Sequence, residues 1–225
     1  MYPYILLNKK IEIYPLFGNK YNKISYAFMS DDSEFIKNLK QDEIKNQKKL
    51  NEKIFSITTE NDNTIIYSGY LEKRLRFIGV LGHTQMVREE RYYHLGIDLS
   101  VEKGTPIYCP LNGEIYDFGY EEGDGNYGGY IILKHTINGV IFYSLYGHLS
   151  YKNISVKKGT TIKSGTIMGL IGDYNENGGY FHHLHFQIIS EKGKEFGFFS
   201  KGYCTKEQLI HIEEYTPNPL YLFRY

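Results

Sequence analysis

The chain changes rhythm twice along its length. Between Tyr70 and about residue 190, short runs of Ile, Leu, Val and Tyr are cut repeatedly by glycine: PIYCPLNGEIYDFGY, GGYIILKHTINGVIFYSLYGH, TIKSGTIMGLIGDY and HLHFQII. Short β-branched and aromatic runs between turn signals predict antiparallel strands, and so a mainly β domain over residues 71–190. Within it, Asn138-Gly139 marks a hairpin, because both residues tolerate the positive φ of a type I′ turn. Gly159 and Gly165 in VKKGTTIKSG mark two more turns around a short strand. Residues 1–70 are polar and irregular. One helix is predicted there, over SDDSEFIKNLKQDEIKNQKKLNEKIFSI, with Asp and Ser as caps and Phe35, Ile36, Leu39, Ile44, Leu50 and Ile54 as its apolar positions. Residues 191–225 read as an extension that packs back through its aromatics.

Composition sharpens this only a little. The 225 residues hold 26 basic and 26 acidic side chains, so no net field attracts nucleic acid or an anionic membrane. There are 23 tyrosines and no tryptophan, which with the many glycines favours sheet and tight turns. Cys109 and Cys204 follow no paired motif and are expected to be ordinary thiols, with a single bridge left open. The opening MYPYILLNKKIEIYPLF lacks a basic residue before its apolar run and a small-residue cleavage site after it. It does not read as a secretory signal, no apolar run is long enough to span a bilayer, and the expected location is cytoplasmic unless another export route operates.

The candidate chemistry is histidine. If HHLHFQII is a strand, His183 and His185 share one face and His182 points away. Upstream, RYYHLGIDL places His94 and Asp98 four apart, and Gly96 between them favours a loosened turn entering a strand over a helix. His148 follows the apolar run VIFYSLY, while His83, His135 and His211 have no sequence partners and are expected to be structural. Two imidazoles and a carboxylate would suit a mononuclear catalytic zinc with an open position. Spacing alone does not say which histidines ligate.

In order along the chain, HLGIDLSVEKGTPIYCPLNGEI, GGYIILKH, YSLYGHLS, VKKGTTIKSGTIMGLIGD and HLHFQI resemble the lysostaphin/LytM-type zinc metallopeptidases, which cut peptide bonds in bacterial cell walls. The resemblance covers roughly residues 75–190 and implies a curved antiparallel sheet with a groove along one face. It implies one Zn2+ per chain held by His94, Asp98 and His185. His183 would be the general base, and His148 the partner that steadies the water or the oxyanion. The implied activity is a zinc metalloendopeptidase whose substrate is a peptidoglycan stem or cross-bridge peptide. A zinc amide hydrolase acting on a cytoplasmic peptide is the alternative enzyme reading, and a non-catalytic regulatory or binding module the alternative outside enzymes. Two departures stand out: neither an export signal nor a wall-binding module is visible, and GGYFHHLHF replaces the frequent GPHLHF. IIYSGYLEKRLRF and GDYNENGGYFHHLHFQI are similar to a less studied branch without export signals.

Overall fold

The computed structural model describes residues 11–58, 63–123 and 125–225. The first ten residues of the run weighed above as an export signal lie outside them. The amino-terminal elements are β1 (Lys23–Tyr26), α1 (Glu34–Asn38), α2 (Gln41–Lys45), α3 (Gln47–Phe55), β2 (Thr64–Ser68), α4 (Leu75–Leu81) and α5 (Thr84–Arg88). There follow β3 (Tyr93–His94), β4 (Ile97–Ser100), β5 (Pro106–Tyr108), β6 (Gly113–Glu121), β7 (Gly128–Ile137) and β8 (Val140–Leu149). The chain closes with β9 (Thr161–Ile162), β10 (Ile167–Leu170), β11 (Leu184–Ser190), α6 (Glu191–Glu195), β12 (Tyr203–Cys204) and α7 (Ile212–Tyr215).

Eight strands form one sheet in the order β1-β2-β4-β11-β8-β7-β6-β9. The protein is mainly β, as its short apolar runs predict. Every neighbouring pair is antiparallel except β1 and β2, which run parallel and make the sheet mixed. Both of these strands come from the polar first 70 residues, where KISY and TIIYS are too short to display a period. The β7–β8 hairpin turns on Asn138 and Gly139 at φ 51° and 79°, the positive values an Asn-Gly turn supplies cheaply.

The single helix expected over residues 30–57 is broken into α1, α2 and α3. Backbone at Leu39, Lys40 and Asn46 is extended, and the Asn46 side chain accepts from the Lys48 and Lys49 N–H groups to start α3 afresh. Local caps of this kind compete with helix continuation where one face is only solvated charge. The apolar positions survive the breaks, since Ile36, Ile44, Leu50 and Ile54 are fully buried.

Strand alternation then divides the core. Leu184, Phe186 and Ile188 of β11 pack with Ile97, Leu99, Ile131, Leu133 and Tyr146 on one face of the sheet. A second cluster joins Ile36, Ile44, Leu50, Ile54 and Phe77 of the amino-terminal helices to Tyr180, Phe181 and Tyr203. The carboxy-terminal segment adds Phe198, Cys204 and Ile212 to Leu95, Tyr127, Tyr143 and Leu145. Cys109 and Cys204 are both buried free thiols, so no bridge joins them. Among the described residues no helix is long and apolar enough to cross a membrane.

Candidate metal centre

The β4–β11–β8 register carries the site. Asp98 stands directly opposite His185, and His185 opposite Gly147, so a carboxylate and an imidazole meet on the face away from the principal core. His94 arrives from β3, one glycine-containing bend before β4. That bend has to be glycine. A Cβ at Gly96 would lie 2.5 Å from Cε1 of His185 and 2.8 Å from the Phe186 carbonyl oxygen.

His94, Asp98 and His185 are buried, and one ligand atom from each lies within 4.8 Å of the others. The individual separations are shorter: His94 Nε2 to His185 Nδ1 is 3.0 Å, and Asp98 Oδ1 is 3.2 Å from each of those nitrogens. Outer partners decide where the ring protons sit. His94 Nδ1 is 3.0 Å from the Gly69 carbonyl oxygen, which can only accept, so Nδ1 carries the proton and Nε2 is bare. His185 Nε2 is 3.0 Å from Gln187 Oε1. The orientation of that amide is set by its Nε2, which donates to the Phe198 and Lys201 carbonyls. His185 therefore protonates on Nε2 and leaves Nδ1 bare. Two lone pairs and a carboxylate oxygen converge with no proton between them. Such a set is mutually repulsive unless a cation sits among them, and its N,N,O composition suits zinc.

The two remaining candidates flank this trio. His183 donates from Nδ1 to the Phe181 carbonyl at 2.9 Å, leaving Nε2 bare and 3.6 Å from Asp98 Oδ1. His148 donates from Nδ1 to the Asn177 carbonyl at 2.7 Å, and its ring centre lies 4.3 Å from that of His183. His148 holds φ at 66°, an unusual value for a residue other than glycine, kept by backbone bonds to Tyr127 and Gly172. His182 faces away, toward Asp173 at 3.1 Å, as expected, although it and His183 precede β11, which begins at Leu184. His135 is buried between Asn112 and Ser144, and His211 is exposed beside Glu214. His83, expected to be purely structural, instead lines the cleft and meets the Tyr180 hydroxyl at 2.8 Å.

Several contributors were missed in the sequence. Gln187 stands two residues after His185 in β11 and shares its face, so a period of two could have found it. Arg74 could not be found that way. Its guanidinium is fully buried and donates to Asp98 Oδ2 at 2.6 Å, from outside the histidine motifs.

Burial dominates the electrostatics. It pushes the His94 and His183 imidazoles down to about 4, with Arg74 adding to the shift in both, and it pushes His148 well below the ordinary range. Burial alone would raise the Asp98 carboxyl, but His94, Arg74 and His183 together hold it well below the usual carboxylate range. At neutral pH Asp98 is thus a carboxylate, and His94, His148 and His183 are neutral.

The trio opens into a cleft of about 580 Å³, whose walls include Phe77 and Met86 from the amino-terminal helices and Ser200 and Gly202 from the carboxy-terminal segment. Tyr127 also lines it, its hydroxyl buried without a hydrogen-bond partner among the described residues.

Residues 92–196 match the model of peptidase family M23, and all five site residues fall within that span. An uncharacterized metalloprotease of Haemophilus influenzae is 36% identical over 95 residues, 42% of this chain and 18% of that protein. The glycyl-glycine endopeptidase ALE-1 of Staphylococcus capitis is 34% identical over 99 residues, 43% of this chain and 25% of that protein. The chain thus aligns with a quarter or less of the length of these curated relatives. Among solved structures, the catalytic domain of lysostaphin from Staphylococcus simulans aligns at TM-score 0.40 with 27% identity, over 54% of this chain and 80% of that one. Residues 92–196, just under half of the chain, are thus similar to peptidase family M23.

Proposed function

We propose that this chain is a zinc-dependent metalloendopeptidase that hydrolyses peptide bonds in peptidoglycan-type peptides. His94 Nε2, Asp98 Oδ1 and His185 Nδ1 are its metal ligands. The observation that carries the reading is the convergence of those three unprotonated acceptor atoms, each oriented from behind by a hydrogen bond. The kinship with a glycyl-glycine endopeptidase supports a cell-wall peptide as substrate.

A zinc ion bound there supplies a Lewis acid that acidifies water and polarises a carbonyl. The chain's own groups do the rest. His183 Nε2, bare and facing Asp98 Oδ1, accepts the proton released in attack and returns it to the leaving amine. His148 Nε2, bare on the other side of the same ring pair, accepts a hydrogen bond from the attacking water and orients it. The Tyr127 hydroxyl supplies a donor for a substrate carbonyl in the cleft.

The test is the zinc content of the purified protein beside a His185→Ala variant, followed by mass spectrometry of oligoglycine and stem-peptide digests. One zinc per chain in the parent, lost in the variant together with cleavage, is expected. No zinc in either protein, after dialysis against added zinc at neutral pH, would end the metallopeptidase reading.

A further inference from the structure

Asp98 has two oxygens, and only Oδ1 faces the histidines. The other, Oδ2, accepts from Arg74 Nη1 at 2.6 Å, with both side chains almost wholly buried. Arg74 cannot swing away, because its Nε and Nη2 donate to Glu72 Oε2 at 2.9 and 2.7 Å. Its Nη1 also lies 3.2 Å from the Tyr203 hydroxyl. Glu72 is itself pinned by backbone: Gly69 N–H donates to its Oε1 and Met29 N–H to its Oε2. Gly69 closes the loop, since its carbonyl takes the proton of His94 Nδ1. A single segment, residues 69–74, thus orients both the imidazole and the carboxylate at one end of the chelate.

Residues 69–74 lie upstream of the span that matches the peptidase family model. Their arrangement has a chemical consequence. A carboxylate with both oxygens free can bind a metal through one or both. One whose second oxygen is held by a planar guanidinium in a charge-assisted bond is restricted to one.

We infer that Arg74, locked by Glu72, is a positioning residue that makes Asp98 a one-oxygen ligand and so holds the metal at low coordination number, with a position open. This rests on the metal-centre reading above. Lysine in place of Arg74 keeps the charge but cannot make the fork that spans Glu72 and Asp98. Freed from that fork, Asp98 can rotate and offer both oxygens.

Cobalt(II) is the probe, because its visible absorption is strong in four-coordinate sites and weak in five- or six-coordinate ones. The full-length protein, Arg74→Lys and Glu72→Gln are each titrated with cobalt(II), and zinc affinity is measured by chelator competition. The parent is expected to bind one cobalt per chain with a strong visible band. Arg74→Lys should still bind it, with a band severalfold weaker and a zinc affinity about 10- to 100-fold lower, as for other groups that orient a ligand from behind. Glu72→Gln keeps the side chain's size but removes its charge and one of its two acceptor oxygens, loosening Arg74 without replacing it. It should move both readouts the same way by less, so it carries the test if the lysine variant fails to fold. Parent-like spectra and affinities in whichever variants fold would overturn the inference while leaving the metal centre standing. No cobalt binding by the parent would overturn both.

Discussion

Gly96 separates the site's geometry from its chemistry, because replacing it changes no ligand residue. Its backbone is not in the positive-φ region, so alanine is allowed there by conformation and only the methyl group acts. That methyl would sit 2.5 Å from His185 Cε1 and 2.8 Å from both His185 Nε2 and the Phe186 carbonyl oxygen. Ordinary contact begins at 3.4 Å, leaving the ring about 0.9 Å too close. Neither neighbour yields easily. The ring is held by Gln187, and Phe186 pairs with Ile97 in the β4–β11 ladder. Overpacking of this kind costs about 1–3 kcal/mol. A ligand ring pushed off its position should also lower zinc affinity by about 10- to 100-fold. Chelator competition measures the affinity, and thermal melting of the metal-free protein measures the strain. Gly96→Ala with parental zinc affinity would refute the claim that this glycine exists to admit the His185 ring, whatever happened to the melting temperature.

Two other outcomes follow from the same structure. His183→Ala should keep its zinc and lose about 10²- to 10⁴-fold in hydrolysis, the range typical of a general base, and loss of zinc in this variant would move His183 among the ligands. His135, far from the site, tests burial by pH. Its imidazole is pushed down to about 4 by burial, so below pH ~6.5 the unfolded chain takes a proton that the folded one refuses. Stability is then full above pH ~6.5 and falls with acid, by about 2 kcal/mol at pH ~5 and roughly 3 kcal/mol once pH reaches ~4. Urea denaturation across this range should show a shallower slope for His135→Gln than for the parent, and identical slopes would count against a buried neutral His135.

The ligand types and their local grouping were legible in the sequence, because they rest on short-range rules. The order of the histidines sets His183 with His185 and turns His182 away, although the strand expected to do this begins only at Leu184. Glycine at 96 loosens the step from His94 to Asp98, and Asn138-Gly139 turns its hairpin. Each depends on only a few consecutive residues. Long-range assembly was not legible. Asp98 reaches His185 across 87 positions of sequence, and that meeting depends on the β4–β11 register. The broken helices α1–α3 escaped the periodic pattern because a side-chain cap at Asn46 outweighs a continuous apolar stripe. Arg74, Glu72 and Gly69 carry no motif at all. Their importance comes from burial, which makes an unpartnered charge or N–H so costly that each group must find the one neighbour able to satisfy it. The sequence by itself determined which atoms could bind a metal. Only the tertiary structure decided which of their lone pairs face inward, because the groups that hold the opposite side of each ligand come from the segment between β2 and α4 and from Gln187, itself fixed by the loop before β12.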